Sequence, residues 1–364
     1  MLFNYRYVNH SIEGFQVYLD HLVKEVWCKA TNDFSMDLLH ADLRSIILEI
    51  YNIDKGTTRG KTGDWLYGPI RRIYELFRTQ LTADQRLQVA AWYDNNNDIE
   101  ALCSGDPGKL PGTYTDIRKI SGDLETALKD FCTSLFTDVI YLKSVTSRIG
   151  EVDAHYAAFV KENTEDKCPY CGYGDIKGKH YNHREAYDHF LPKGIYPFNS
   201  VNFRNLAPMC HECNSTYKLR LDPLRHIDPI TRKQADVRRK AFYSYSTIPP
   251  DVVITINFKN NDIANLLPAD IELHLVSSGR DEEVEAWKDV FGIDERYKAK
   301  CCGANDGKGW LDRVQDECQN YELTPQKMLA AEIRSAEAKP WVDSNFLKRP
   351  FLIACQNAKV ICQD

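Results

Sequence analysis

The sequence predicts an α+β fold, mainly α-helical, on three observations. Apolar residues recur at helical spacing through the first part of the chain, to about residue 165. Two tight cysteine pairs, Cys168/Cys171 and Cys210/Cys213, enclose a stretch that reads as strand, loop, strand and helix. Beyond Asp222, two β-branched alternating runs are followed by segments with helix-start signals. The expected organisation is a helical N-terminal domain over 1–165, a central ββα unit over 166–222 and a small α+β C-terminal extension over 223–364. A chain of 364 residues is long enough for two or three modest domains with real cores.

Each element has its own signal. Ile12, Phe15, Tyr18, Leu19, Leu22 and Val23 share one face of a first helix. Leu38, Leu39, Leu43, Ile46, Ile47 and Ile50 do the same for a second, and Ile70, Ile73, Tyr74 and Phe77 for a third. Thr82-Ala-Asp-Gln85 is a capping-box pattern that opens a fourth. Glycine and proline mark 104–112 as a loop. Two further helices, near 116–137 and 138–162, lead to Cys168. In the central unit, 184–191 fits a first strand, 206–210 a second and 211–219 a helix. Val252–Phe258 and Ile271–Val276 read as strands, and helices are expected over 281–300, 309–320, 324–338 and 343–359. No internal repeat or low-complexity tract is present.

Composition narrows the function classes. Hydrophobic content of 43% and aromatic content of 11% describe ordinary globular protein, and the net charge is −6. That charge is uneven: Lys167 to Lys240 holds 14 Lys/Arg against 7 Asp/Glu, or +7, which leaves −13 for the rest. A basic island in an acidic chain fits a nucleic-acid footprint, although such charges also simply solvate loops. The acidic helical part leaves room for a regulatory protein partner. Of the twelve cysteines, the eight outside the two pairs show no disulfide-framework spacing. No secretory pattern opens the chain and no apolar run approaches a membrane span, so a reducing cytoplasm and no membrane association are expected.

The cysteine pairs have the spacing Cys168-x2-Cys171-x38-Cys210-x2-Cys213. Four thiolates favour tetrahedral Zn2+ and leave it no open position, so the metal expected here is structural. Between the pairs lies Asp188-His189. A histidine with an unperturbed pKa of ~6.5 can act as a neutral base near neutrality. Asp188 is a hard oxygen ligand suited to Mg2+ or Mn2+, and Asn214 could share that cation from the helix behind Cys213. Neighbouring strand residues face opposite ways, so Asp188 and His189 would serve one site only if the strand were bent there. Asn205, 16 residues after His189, can hold the intervening loop by side-chain to backbone hydrogen bonds. Lys193, Arg204, Lys218 and Arg220 are candidate phosphate contacts. His180, His183 and His211 read as exposed.

Taken together, Tyr187-Asp-His-Phe-Leu-Pro-Lys193, Asn205-Leu-Ala-Pro208 and Cys210-His-Glu-Cys-Asn214-Ser-Thr-Tyr-Lys218 resemble the HNH, or ββα-metal (His-Me finger), endonuclease family. The resemblance covers about 50 residues. It implies His189 as general base, Asn205 as the residue that shapes the loop, and Asp188 with Asn214 as ligands of a catalytic Mg2+ or Mn2+. Asn214 stands where the family's namesake has a histidine. The form Asp-His-x-x-Pro-Lys is similar to HNH proteins of bacterial anti-phage defence. The implied activity is metal-dependent hydrolysis of DNA phosphodiesters. Two alternatives stay open: a zinc ribbon that binds nucleic acid without cutting it, and an RNase toxin with the same site.

Overall fold

The computed structural model describes residues 1–56, 64–228, 230–321 and 324–360. Among the described residues, nine α-helices precede the first cysteine pair: α1 (Gly14–His21), α2 (Ala41–Gly56), α3 (Tyr67–Gln80), α4 (Ala83–Asn97), α5 (Ile99–Ser104), α6 (Tyr114–Ile120), α7 (Gly122–Thr137), α8 (Lys143–Ile149) and α9 (Val152–Glu162). The Thr82 capping box forms as its sequence suggests, with Gln85 reciprocating. The single helix expected over 116–137 is divided into α6 and α7. Ser121 adopts extended backbone so that its hydroxyl can cap the amide of Leu124. The one expected over 138–162 is interrupted at Gly150, whose φ of 85° ends α8.

These helices bury their apolar faces together. Ile70, Ile73, Tyr74 and Phe77 of α3 are buried, and Trp27 lies between Phe77 and Phe131 of α7, at ring-centroid distances of 6.0 and 5.4 Å. The Trp27 indole N–H finds its partner in the carbonyl of Ile70, at 3.1 Å.

The central unit holds a short antiparallel hairpin, β1 (Tyr187–His189) and β2 (Leu206–Pro208), with Asp188 opposite Ala207 and His189 opposite Leu206. A helical turn from His211 continues as a π-helical segment over Cys213–Lys218. After it comes a second hairpin, β3 (Arg225–Ile227) with β4 (Gln234–Arg238), not expected from the sequence: its residues are mostly polar and only Ile227 is buried, so no alternation marks it. A third hairpin pairs β5 (Val253–Phe258) with β6 (Ile271–Val276) in continuous register. Helices α10 (Asp281–Phe291), α11 (Ile293–Cys302), α12 (Gly307–Tyr321), α13 (Pro325–Ala338) and α14 (Asn345–Asn357) complete the chain. Gly292, in the left-handed region at φ 60°, separates α10 from α11 where one helix was expected.

Packing crosses the expected boundaries at 165 and 222. The Tyr5 hydroxyl donates to the carbonyl of Pro208 (3.0 Å), and Tyr245 donates to that of Leu206 (2.6 Å). Trp287 and Tyr297, from α10 and α11, donate to the carbonyls of Tyr170 (2.6 Å) and Cys171 (3.0 Å). One hydrophobic cluster runs through all three segments. The small central unit is thus hydrogen-bonded to segments before and after it in the chain. Among the described residues, no helix is long and apolar enough to cross a membrane.

Candidate metal centre and the Asp188–His189 hairpin

The four cysteine sulfurs all lie within 4.8 Å of one another and all four residues are buried. Sulfurs bound to one tetrahedral Zn2+ at ~2.3 Å would stand about 3.8 Å apart. Cys171 and Cys210 are separated by 3.8 Å. The donors therefore fit zinc in kind, number and spacing. The surroundings fit it too. The Gly174 amide donates to Cys171 Sγ at 3.2 Å. A Cβ at Gly174 would come within 2.7 Å of Cys210 Sγ, so the turn that brings the two pairs together requires glycine there. Arg296 of α11 donates to Cys213 Sγ at 3.3 Å and pairs with Glu212 at 3.1 Å, its guanidinium lying over Tyr217 and Tyr173. A buried cation beside a cluster of thiolates offsets their excess negative charge. Nothing in the local sequence announces Arg296, which lies 83 positions beyond Cys213.

His189 is almost fully buried, and its Nε2 is 2.8 Å from the carbonyl oxygen of Ser200. A carbonyl only accepts, so Nε2 carries the proton and Nδ1 keeps its lone pair. The ring meets the Phe136 ring edge-on, with centroids 4.5 Å apart. Burial, and after it the charge of Lys193, pushes the imidazole pKa down to about 3, so the ring is neutral at ordinary pH.

Asn205 is fully buried. Its Oδ1 accepts from the Leu191 amide at 2.8 Å, and its Nδ2 donates to the Leu191 carbonyl at 3.0 Å. These are the loop-holding bonds expected of it. The far part of the loop is fastened to the end of α4, where Asn96 donates to the carbonyl of Pro197 and Asn202 donates to Asn97 Oδ1. Next to Pro197, the Tyr196 hydroxyl donates to the buried carboxylate of Asp222 at 2.5 Å.

β1 is regular, and the Asp188 carboxylate meets Lys218 of the π-helical segment, with Oδ2 2.8 Å from Nζ. The same ammonium donates to the backbone carbonyl of His189 at 2.9 Å. The contact of Asp188 Oδ2 with Lys218 is a buried ion pair. Burial raises the Asp188 carboxyl above its ordinary range, against the pull of Lys218.

Two expectations are corrected here. Lys218 is 1% exposed and holds the hairpin from inside, so it is not a surface phosphate contact. The Asp188 carboxylate, expected to hold a catalytic cation, is met by the Lys218 ammonium instead. Asn214 lines an open depression of about 970 Å³ with Ser215, Thr216, Tyr217, Arg220 and Arg232, and Asp188 and His189 do not line it. With an ammonium 2.8 Å from the carboxylate, these residues do not fit Mg2+ or Mn2+.

The other candidate cations remain at or near the surface. Arg204 is exposed, its guanidinium 4.1 Å from the centroid of the Tyr7 ring, and Arg220 is exposed beside Asn214. Lys193 is half-buried, 4.9 Å from the centroid of the Phe136 ring, and burial lowers its pKa. His180, His183 and His211 are exposed. No family model, curated protein or solved structure matches the chain.

Proposed function

We propose that the chain is a phosphodiester hydrolase of the HNH type acting on DNA, with a structural Zn2+ held by Cys168, Cys171, Cys210 and Cys213. The observation that carries this reading is the orientation of His189. A general base needs a neutral ring with one nitrogen fixed and the other free to take a proton. The Ser200 carbonyl fixes Nε2–H, and Asn205 fixes the loop between strand and carbonyl. In this reading Nδ1 of His189 takes the proton of the attacking water, which adds to phosphorus in line with the leaving 3′ oxygen. A phosphate beside Nδ1 raises the pKa of the imidazole towards the working range, because it favours the charged form. Lys193, close to the same ring system, and the exposed Arg204 and Arg220 are the cations available to the DNA backbone. No step is assigned to Mg2+ or Mn2+. The defence role and a regulatory partner on the helical part are proposed from the family resemblance and the acidic charge alone.

One observation favours the rival reading, a zinc ribbon that binds nucleic acid without cutting: the Asp188 charge is neutralised by Lys218. A plasmid-nicking assay decides between them, run from EDTA to millimolar Mg2+ or Mn2+ with RNA in parallel. His189→Ala should reduce cleavage by ~10²–10⁴-fold. Zinc content and salt-dependent DNA binding should stay as in the wild type. Cleavage by neither protein would move the assignment to the ribbon; equal cleavage by both would strip His189 of the catalytic role; cleavage of RNA alone would move the assignment to the RNase.

A further inference from the structure

We infer that Lys218 is the cation of the Asp188 site, and that the folded chain excludes a divalent ion there for as long as Lys218 is present. From the nuclease reading the inference takes only the place where a cation was expected. The occupant is read from geometry.

The ammonium of Lys218 lies 2.8 Å from the Asp188 carboxylate and 2.9 Å from the carbonyl oxygen of His189. A side-chain oxygen and a backbone oxygen from consecutive residues are hard donors of the sort a divalent ion takes. An ammonium and a divalent ion compete for them, and both cannot be held against one carboxylate without strong repulsion in a poorly solvated interior.

Lys218 also cannot readily step aside. It is 1% exposed and ends the π-helical segment whose first residue, Cys213, belongs to the cysteine cluster. The next residue, Leu219, turns the chain sharply at φ 49°, a value that side chains rarely adopt, so the segment stops at the residue whose ammonium is needed. Asn214, the second ligand expected from sequence, lines the outer depression instead. The hairpin thus carries its own positive charge. Lys218 acts as a positioning residue: it ties β1 to the segment behind the cysteines through Asp188 and the His189 carbonyl.

Once Lys218 is removed, Asp188 Oδ2 loses its ion-pair partner and becomes a free hard ligand. The test is Mn2+ binding to the full, zinc-loaded chain, followed by the EPR signal of free Mn2+. The wild type and Asp188→Asn should leave that signal equally unchanged. Lys218→Ala and Lys218→Met should each take up one Mn2+ at least tenfold more tightly than the wild type. The double variant Lys218→Ala/Asp188→Asn should lose that gain. A wild type that binds one Mn2+ in a way Asp188→Asn abolishes overturns the inference, as do folded, zinc-replete Lys218 variants that bind no better than the wild type. If neither Lys218 variant folds, the comparison of wild type with Asp188→Asn decides alone. The readout does not involve cleavage, so failure of the nuclease reading and failure of this one are separately visible.

Discussion

Replacing Asn205 with alanine tests whether the loop between the two strands is built around one side chain. In the native fold, Oδ1 and Nδ2 of Asn205 satisfy both backbone groups of Leu191, at 2.8 and 3.0 Å, in a fully buried position. The third contact, Nδ2 to the Asn199 carbonyl at 3.4 Å, is long enough to be given little weight. Alanine leaves a buried N–H and a buried C=O unpaired. Each such group costs ~1–3 kcal/mol, so the expected loss is about 2–6 kcal/mol. Against a typical stability of ~5–15 kcal/mol, the variant should remain folded at 25 °C. Urea unfolding with zinc bound should show a lower midpoint at an unchanged m-value. Asn205→Asp should do no better: it keeps the acceptor for the Leu191 amide but sets a carboxylate oxygen against the Leu191 carbonyl. The same loop carries Ser200 to His189 Nε2, so cleavage should fall further than the residual folded fraction explains. A destabilisation below about 1 kcal/mol, on the cost scale used above, would show that the loop holds itself and that Asn205 does not set its shape.

Two further outcomes are expected. Arg296→Gln removes the cation that donates to Cys213, and should weaken zinc retention by ~10–100-fold in a chelator competition while leaving four cysteines in place; unchanged retention would make Arg296 a packing residue only. His155, buried with Nδ1 2.5 Å from the Tyr187 hydroxyl, has its pKa lowered to about 4 by burial, with the nearby His10 adding to the effect. The unfolded chain then takes up the proton first as pH falls, so this contribution to stability is level above ~6.5 and is lost down to about 4. The melting temperature of His155→Gln should therefore fall less steeply than that of the wild type over that window, and parallel curves would reject the assignment.

How much was legible follows from how local each signal is. The Thr82–Gln85 capping box and the cysteine pairs are short-range patterns, and both read correctly as structure. The breaks at Ser121, Gly150 and Gly292 were missed because apolar periodicity continues across them, while a single backbone turn decides where each helix ends. The β3–β4 hairpin gave no alternation because it buries so little. At the candidate site, Asn205 was found because a turn asparagine has a limited repertoire of partners. Lys218 was misjudged because a lysine directly before a turn looks like surface. Only its distant partners, Asp188 and the His189 carbonyl, show otherwise.

The division of work between Asp188 and His189 comes from the strand itself. Adjacent residues on a regular strand point to opposite faces. The pairing of Tyr187 with Pro208, Asp188 with Ala207 and His189 with Leu206 leaves no bulge to turn one side chain towards the other. His189 therefore goes to the loop face, where Ser200 and Phe136 set its tautomer and its neutrality. Asp188 goes to the face covered by the segment behind the cysteines, where Lys218 meets it. The lysine reaches both residues because it grips the backbone oxygen of one and the carboxylate of the other. The strand that presents His189 is thus anchored by an internal ion pair. Breaking a buried pair of this sort by removing one partner costs ~3–5 kcal/mol. Losing that anchor should reach His189 through the β1 backbone, and it also removes a charge that acts on the imidazole itself.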